Sequence, residues 1–363
     1  MELNEKIIQI LKEIKHPEIG GDIVSSGIFE KIEIKENLVT IFLKFPRPTD
    51  PFKNKIKLIC EQSVKNVVPE NFSVIIDLNE KKKIEPQKNN IEQIKNFIVI
   101  ASGKGGVGKS TISSNLAVSL AKKGYKTGLI DADVFGPSIP KMFGLENEKP
   151  IVETINGKHT IIPFEKYGVK LNSIGFFVNP KDATIWRGPM ASNALTQLIM
   201  DTKWGELDFL LFDLPPGTSD IHLSLVQNMA ITGAVIVSTP QQVALADTIK
   251  GINMFREAKI NVPILGLVEN MSWFTTSEMP DKKFYIFGRE GCKNLAEKEN
   301  IPLLGQIPIV ESICKSGDDG MPVCLTDDKL LNNSYNELCD NFISQLTFRN
   351  ENVEPSKKVE IHK

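Results

Sequence analysis

The sequence predicts an α/β fold built on a mostly parallel sheet with helices on both faces, preceded by a small α+β domain. Three observations carry this expectation. After about residue 97, strand-length apolar runs alternate with segments of helical apolar spacing. Those runs are apolar along their length, as strands covered on both faces are, and most end at a polar or turn residue. Between the first run and the helix that follows lies a glycine-rich turn, Gly103-Lys104-Gly105-Gly106-Val107-Gly108-Lys109-Ser110-Thr111.

The amino-terminal part has a different pattern. Ile7, Ile8, Leu11 and Ile14 recur at helical spacing. Alternating runs follow at Ile32-Glu33-Ile34, Leu38 to Leu43 and Phe72 to Ile76, with a second helical stretch, Lys55 to Val68, between the last two. Residues 1–79 therefore read as an α+β domain near the lower size limit for folding alone. Residues 80–96 are rich in Lys, Asn, Glu and Gln, include Pro86 and read as a linker. Residues 97–348 form the second domain, with strands expected at Phe97 to Ala101, Lys126 to Ile130, Asp208 to Phe212, Ala234 to Val237 and Ile264 to Val268. Leu331, Tyr335, Leu338 and Phe342 pattern a terminal helix, and the charged, apolar-poor residues 349–363 read as a disordered tail.

In open parallel sheets ligands sit beyond the carboxyl ends of the strands, so the residues there are the candidates. The glycine-rich turn places Gly103, four residues, then Gly108-Lys109-Ser110 between a strand and a helix, which is the Walker A pattern of a P-loop NTPase. In that pattern backbone N–H groups converge on phosphate oxygens, Lys109 supplies a point charge and the Ser110 hydroxyl ligates Mg²⁺. The next strand ends in Asp131-Ala132-Asp133. Such a pair either caps the following helix or serves the reaction, Asp133 orienting or deprotonating the attacking water and Asp131 helping to hold the Mg²⁺ shell. A third strand ends in Asp213-Leu214-Pro215-Pro216-Gly217-Thr218. Asp213 is placed as the Walker B carboxylate reaching Mg²⁺, and the Gly217 backbone can approach the γ-phosphate as a switch element. ATP and Mg²⁺ are the expected cofactors.

Composition narrows the remaining classes. A chain of 363 residues, 41% hydrophobic and 24% charged, suits two globular domains of roughly 150 residues each. With 43 Lys and Arg against 45 Asp and Glu the formal net charge is −2, so neither a nucleic-acid groove nor an anionic membrane surface is expected as a partner. No apolar run reaches the roughly 18 residues of a membrane helix. Met1-Glu2-Leu3-Asn4-Glu5 lacks the basic start and apolar centre of a signal peptide, so a cytoplasmic protein is expected. The five cysteines, Cys60, Cys292, Cys314, Cys324 and Cys339, are widely spaced and form no CxxC pair, which points to reduced thiols. Cys60 lies in an apolar helical pattern and reads as a buried structural thiol.

From about Phe97 to Phe342 the chain resembles the Mrp-type iron–sulfur cluster carrier ATPases, a branch of the MinD/ParA-like group. The resemblance is carried by the P-loop with its second lysine, Lys104, and by Asp131-Ala132-Asp133, Gly136-Pro137-Ser138, Arg187-Gly188-Pro189-Met190 and Trp204-Gly205-Glu206-Leu207-Asp208. Asp213 to Thr218, Ser238-Thr239-Pro240-Gln241 and Glu269-Asn270-Met271-Ser272 complete it. The first domain resembles the MIP18-like domain of iron–sulfur assembly proteins, through His16-Pro17-Glu18 and the turn Phe45 to Pro51, although the reactive cysteine that members often carry in that turn is missing. These resemblances imply a homodimer with two facing ATP sites, Lys104 acting catalytically across the interface with Lys109 and Asp133, and Asn270 at the adenine edge. They also imply delivery of clusters to iron–sulfur apoproteins or work with assembly factors. Arg187 belongs to a hallmark whose role the residues do not give.

One departure bears on the cargo. In the family a CxxC closely follows the Asn-Met-Ser-aromatic-Phe stretch, and a 4Fe-4S cluster is held between the two pairs of a dimer. Here the matching positions are Thr276 and Met279, a hydroxyl and a thioether that are poor substitutes for thiolates on iron. Cys292, at the expected start of a helix whose N-terminus would lower its pKa, is the substitute ligand to consider, though one thiol per subunit falls short of four. The expectation is an ATP-hydrolysing iron–sulfur cluster carrier. Its alternative is a cargo-less adaptor that kept the ATP switch.

Overall fold

The computed structural model describes residues 3–35, 37–46, 50–69, 71–78, 91–155, 158–177, 188–276, 278–356 and 358. The chain divides into two units, Met1–Gln87 and Lys88–Lys363.

The first unit comprises α1 (Leu3–Leu11), β1 (Phe29–Lys35), β2 (Leu38–Leu43), α2 (Lys53–Lys65) and β3 (Ser73–Asp77). The strands pair in the order β1-β2-β3, the first pair antiparallel and the second parallel. Period-two alternation puts Val39, Ile41, Leu43, Val74 and Ile76 on one buried face, where Ile7 and Leu11 of α1 and Ile56, Cys60 and Val64 of α2 cover them. Burial pushes the Cys60 thiol up to about 12, as befits a structural residue. His16 is buried, and its Nδ1 accepts from the backbone N–H of Glu18 and Ile19, both at 3.2 Å. The proton therefore sits on Nε2, which donates to Asp50 Oδ2 at 3.1 Å and ties the two halves of the MIP18-like motif together.

The second unit begins with β4 (Ile94–Ala101), α3 (Lys109–Lys122), β5 (Thr127–Asp131) and the short α4 (Ile139–Met142). An insert of small strands follows: β6 (Ile151–Ile155), β7 (Lys158–Ile162), β8 (Phe164–Lys166) and β9 (Val169–Ser173). Then come α5 (Gly188–Asp201), β10 (Leu207–Asp213), α6 (Asp220–Asn228), β11 (Gly233–Ser238) and α7 (Gln242–Arg256). The unit closes with β12 (Ile264–Thr276), β13 (Met279–Phe284), α8 (Gly291–Glu299), β14 (Leu303–Ile309), α9 (Glu311–Asp318) and α10 (Lys329–Asn352). Among the described residues nine strands form one sheet in the order β13-β12-β11-β4-β10-β5-β9-β8, with β14 also on β12. Its interior pairs are parallel, while β8 and β13 pair antiparallel.

Each inner strand feeds two cores. In β4, Val99 and Ala101 face the layer of α5, α6, α7 and α8, while Ile98 and Ile100 face α3 and α10. That double burial is why these strands read as continuous apolar runs. The antiparallel margins were not expected, because β8 is only three residues long and β13 leaves Met279 and Phe284 exposed, so no alternation stands out.

Both boundaries of this unit differ from expectation. Ile91 and Ile94 are buried in its core and Ile94 opens β4, so residues 91–96 belong to the unit and not to a linker; residues 80–90 lie outside the described residues. At the other end α10 runs to Asn352 and Arg349 is buried, which moves the start of any tail past the expected 349. Arg187 also lies outside the described residues. No described helix is long and apolar enough to cross a membrane.

Phe342 of α10 is fully buried, its ring 5.9 Å from that of Phe209 on β10. Phe342→Ala is expected to lower the stability of the second unit by about 3–5 kcal/mol, read from its transition in urea. A loss below about 1 kcal/mol would place α10 outside the core.

Candidate functional site

The loop between β4 and α3 has a backbone that side chains would disrupt. Gly106 and Gly108 have φ of +80° and +81°, where L-residues are strained. A Cβ on Gly103 would stand 2.3 Å from the Asp247 backbone of α7, and one on Gly108 would stand 2.2 Å from Asn270 Nδ2. The glycines thus let the loop curl against its neighbours and bring Lys109 and Ser110 to the first turn of α3, where free N–H groups and the helix dipole favour an anion. With Asp133, Ser138, Met142 and Pro216, loop residues 104–111 and Ser102 line a cleft of about 200 Å³.

Asp213, the last residue of β10, is fully buried beneath that loop. Lys109 Nζ lies 2.8 Å from its Oδ1, Ser113 Oγ donates to Oδ1 at 2.6 Å, and Ser110 Oγ donates to Oδ2 at 2.6 Å. The expected Walker A and Walker B residues are therefore in direct contact. Ser113 was not anticipated; it lies one helical turn after Lys109, a spacing that puts both on one face and was available as a signal. A serine hydroxyl paired with a carboxylate is the oxygen donor set that a hard cation takes, so Ser110 and Asp213 fit Mg²⁺.

Asp131 and Asp133 separate in role. Asp131 is fully buried; its Oδ1 accepts from Asp133 N at 3.2 Å, and its Oδ2 accepts from Ile139 N and Ser173 Oγ, both at 3.1 Å. Its carboxyl is pushed up to about 7 by burial and by the Asp213 charge. Asp131 thus holds the turn into α4, the capping alternative. Asp133 lines the cleft with only Oδ1 engaged, accepting from Phe135 N and Gly136 N at 3.2 Å. Burial raises its pKa while the Lys109 charge opposes the rise. A carboxylate of raised basicity beside the phosphate loop suits a proton acceptor.

The stretch after Asp213 is fastened at both ends. Gly217, at φ +82°, donates its N–H to Ser102 O at 2.8 Å, tying the switch stretch to the start of the P-loop. At the start of α6, His222 Nδ1 accepts from Ser219 N at 3.2 Å, the reciprocal arrangement of a capping box with histidine in the usual glutamate place. His222 is buried, its Nε2 has no partner, and burial lowers its pKa to about 4.

On the far side of the loop, Asn270 of β12 donates Nδ2 to Val107 O at 2.8 Å and is absent from the cleft lining. The donor that the resemblance would turn to adenine is engaged with the loop itself. Its neighbour Glu269 is fully buried and accepts from Ser272 Oγ, from Gln306 Nε2 at 2.7 Å and from Cys292 N at 2.7 Å, which locks β12 to β14 and α8.

Past Asn270, β12 turns into the β13 hairpin, where Thr276 stands opposite Met279. Thr275 Oγ1 donates to Met279 O at 2.9 Å, and the buried Thr276 Oγ1 has no hydrogen-bond partner. These side chains hold a hairpin and present no thiolate. Cys292 does not replace them. It is second in α8 as expected, but it is buried, and burial together with the Glu269 carboxylate pushes its thiol upward, overriding the helix N-terminus. Burial likewise raises Cys324 to about 11 and Cys339 to about 12. Among the described residues no group of three or more His, Cys, Asp or Glu could hold a metal ion within one chain. With Thr276 and Met279 at the hairpin and Cys292 buried, the residues there do not fit a four-thiolate cluster shared between subunits.

A family model described as the ParA-type NUBPL iron-transfer P-loop NTPase matches residues 93–343. The chain belongs to this family. An iron–sulfur cluster assembly protein model matches residues 4–78, within the first unit. An iron–sulfur cluster carrier protein of Aquifex aeolicus (strain VF5) is 39% identical over 337 residues, covering 89% of this chain and 88% of the relative. An iron–sulfur cluster transfer protein NUBPL of Dictyostelium discoideum is 48% identical over 270 residues, 74% of this chain and 82% of its own. Among solved structures, a nucleotide-binding protein from Archaeoglobus fulgidus in complex with ADP shares 37% identity, with a TM-score of 0.57 over 66% of this chain and 93% of that one. The P-loop NTPase fold preceded by a small α+β domain is thus the fold of a ParA/MinD-like protein of the Mrp and NUBPL type.

His222 gives the site a signature in pH. Its folded pKa of about 4 lies below the ordinary 6.5, so its contribution is fully present above pH 6.5 and is lost as pH falls toward 4. The loss amounts to about 3 kcal/mol. His222→Gln, which keeps an acceptor for Ser219, is expected to flatten this part of the stability profile in urea titrations at stepped pH. An unchanged slope would mean that His222 is not the group titrating.

Proposed function

We propose that this chain is an ATP-hydrolysing switch of iron–sulfur cluster assembly, working as a homodimer whose nucleotide state is read by assembly factors or apoproteins through the β12–β13 hairpin. The observation that carries the reading is the Asn270–Val107 bond. It fastens the phosphate loop to the strand that continues into the hairpin, where Met279, Phe284, Tyr285 and Ile286 are exposed. An apolar edge joined to a nucleotide loop is what an adaptor needs.

Hydrolysis follows from the residues around the cleft. The loop N–H groups and Lys109 hold the phosphates, and Ser110 and Asp213 hold Mg²⁺, which when bound neutralises phosphate charge. Asp133 orients the water and takes its proton as the new bond to the γ-phosphorus forms and the bond to the bridging oxygen breaks. Lys104, exposed at the tip of the loop, is free to reach the nucleotide of a facing subunit. Asn270 contributes to this site by holding the loop.

A second reading, that the protein carries the cluster itself, is favoured by the 39% identity with the Aquifex carrier over 89% of this chain. Thr276 and Met279 at the hairpin and the buried Cys292 do not supply the thiolates that cargo needs.

Two experiments separate these claims. Lys104→Ala is expected to keep ATP affinity and lose turnover by about 10³-fold, by analogy with a cation supplied in trans; unchanged turnover removes the trans-lysine. Anaerobic reconstitution with iron and sulfide is expected to leave no stoichiometric cluster on the wild-type protein. Four irons and four labile sulfides per dimer, the content of one 4Fe-4S cluster, would instead establish the carrier reading.

A further inference from the structure

The second unit has a larger cavity at the opposite end of its sheet from the phosphate loop. It measures about 580 Å³ and opens where the chain enters β11 and β12, beside Ile231 and Val262-Pro263. Nine of its fourteen lining residues are apolar, Val226, Met229 and Ile260 among them, and polar groups share the surface they leave open. Arg349, in the last turn of α10, is set into it and is only 7% exposed.

The guanidinium is incompletely satisfied. Nη1 donates to Asn350 Oδ1 at 3.0 Å, and Nη2 donates to Glu354 O at 3.1 Å and to Ser356 Oγ at 2.6 Å. All three acceptors are neutral, and Nε is buried with no acceptor. Among the described residues Arg349 has no carboxylate partner; Glu354, the one acid on the lining, offers its backbone carbonyl. The carboxyl end of α10 favours a cation but lends only part of a charge. A buried guanidinium left in this condition is strongly unfavourable unless an anion completes it. Lys259, exposed on the lining, adds a second positive group.

We propose that this cavity is a binding site for a small organic carboxylate with an apolar body, its carboxylate on Arg349 and its body against Met229 and Ile260. The volume lies in the range of small-molecule sites, and an apolar wall with one fixed cation selects such a ligand over a wholly polar anion. A planar guanidinium suits a carboxylate in geometry as well as charge.

Calorimetric titration of the full chain with octanoate tests the site, with inorganic phosphate as the second probe and ADP as the control for folding. One octanoate per chain is expected, weakened at least tenfold in Arg349→Gln with ADP affinity unchanged. Val353→Trp, at a lining position 46% exposed that accepts a larger side chain, is expected to block octanoate while leaving Arg349 in place. The proposal is overturned if octanoate does not bind the wild type, if it binds both variants as well as the wild type, or if phosphate binds as tightly as octanoate.

Discussion

The buried carboxylate of Asp213 is the constraint around which the nucleotide end of the protein is built. Fully removed from solvent, it is tolerable because Lys109, Ser110 and Ser113 converge on it from α3. That convergence requires the first turn of α3 to lie directly over the end of β10, which in turn requires a loop tight enough to pass under α7 at Gly103 and over Asn270 at Gly108. Fold and chemistry are therefore coupled: the groups proposed to hold phosphate and Mg²⁺ are the same groups that make the buried acid bearable. Deleting Lys109 removes a ligand for phosphate and also leaves an uncompensated charge in the core.

Much of this was legible in the sequence because it rests on local patterns. The inner strands are apolar throughout since both their faces are covered, and the Walker spacing ties two glycines, Gly103 and Gly108, and a lysine to one turn. What escaped depends on contacts between distant segments. That Asp131 fastens the turn into α4 shows only once Ile139 and Ser173 are seen to donate to it. Cys292 sits at a helix N-terminus, which in isolation lowers a thiol pKa, yet burial and Glu269 from β12 reverse the sign. Ile91 and Ile94 look like stray apolar residues in a polar stretch until the core closes over them.

The hairpin is where this chain departs from the pattern of the family it resembles while keeping the frame on either side. Thr276 pairs with Met279 between β12 and β13, Thr275 Oγ1 donates to Met279 O, and four of the five cysteines are buried. What remains at that edge is an apolar surface joined through β12 to Asn270 and the phosphate loop. Glu269, with its three donors, anchors β12 to β14 and α8 at the residue before Asn270.

Hydrogen exchange over residues 264–286, compared between the ADP-bound protein and the protein with a non-hydrolysable ATP analogue, tests this coupling most directly. The account predicts a change in hairpin protection between the two nucleotide states that disappears in Asn270→Ala while both nucleotides still bind. Identical protection of the hairpin in the two states would contradict it.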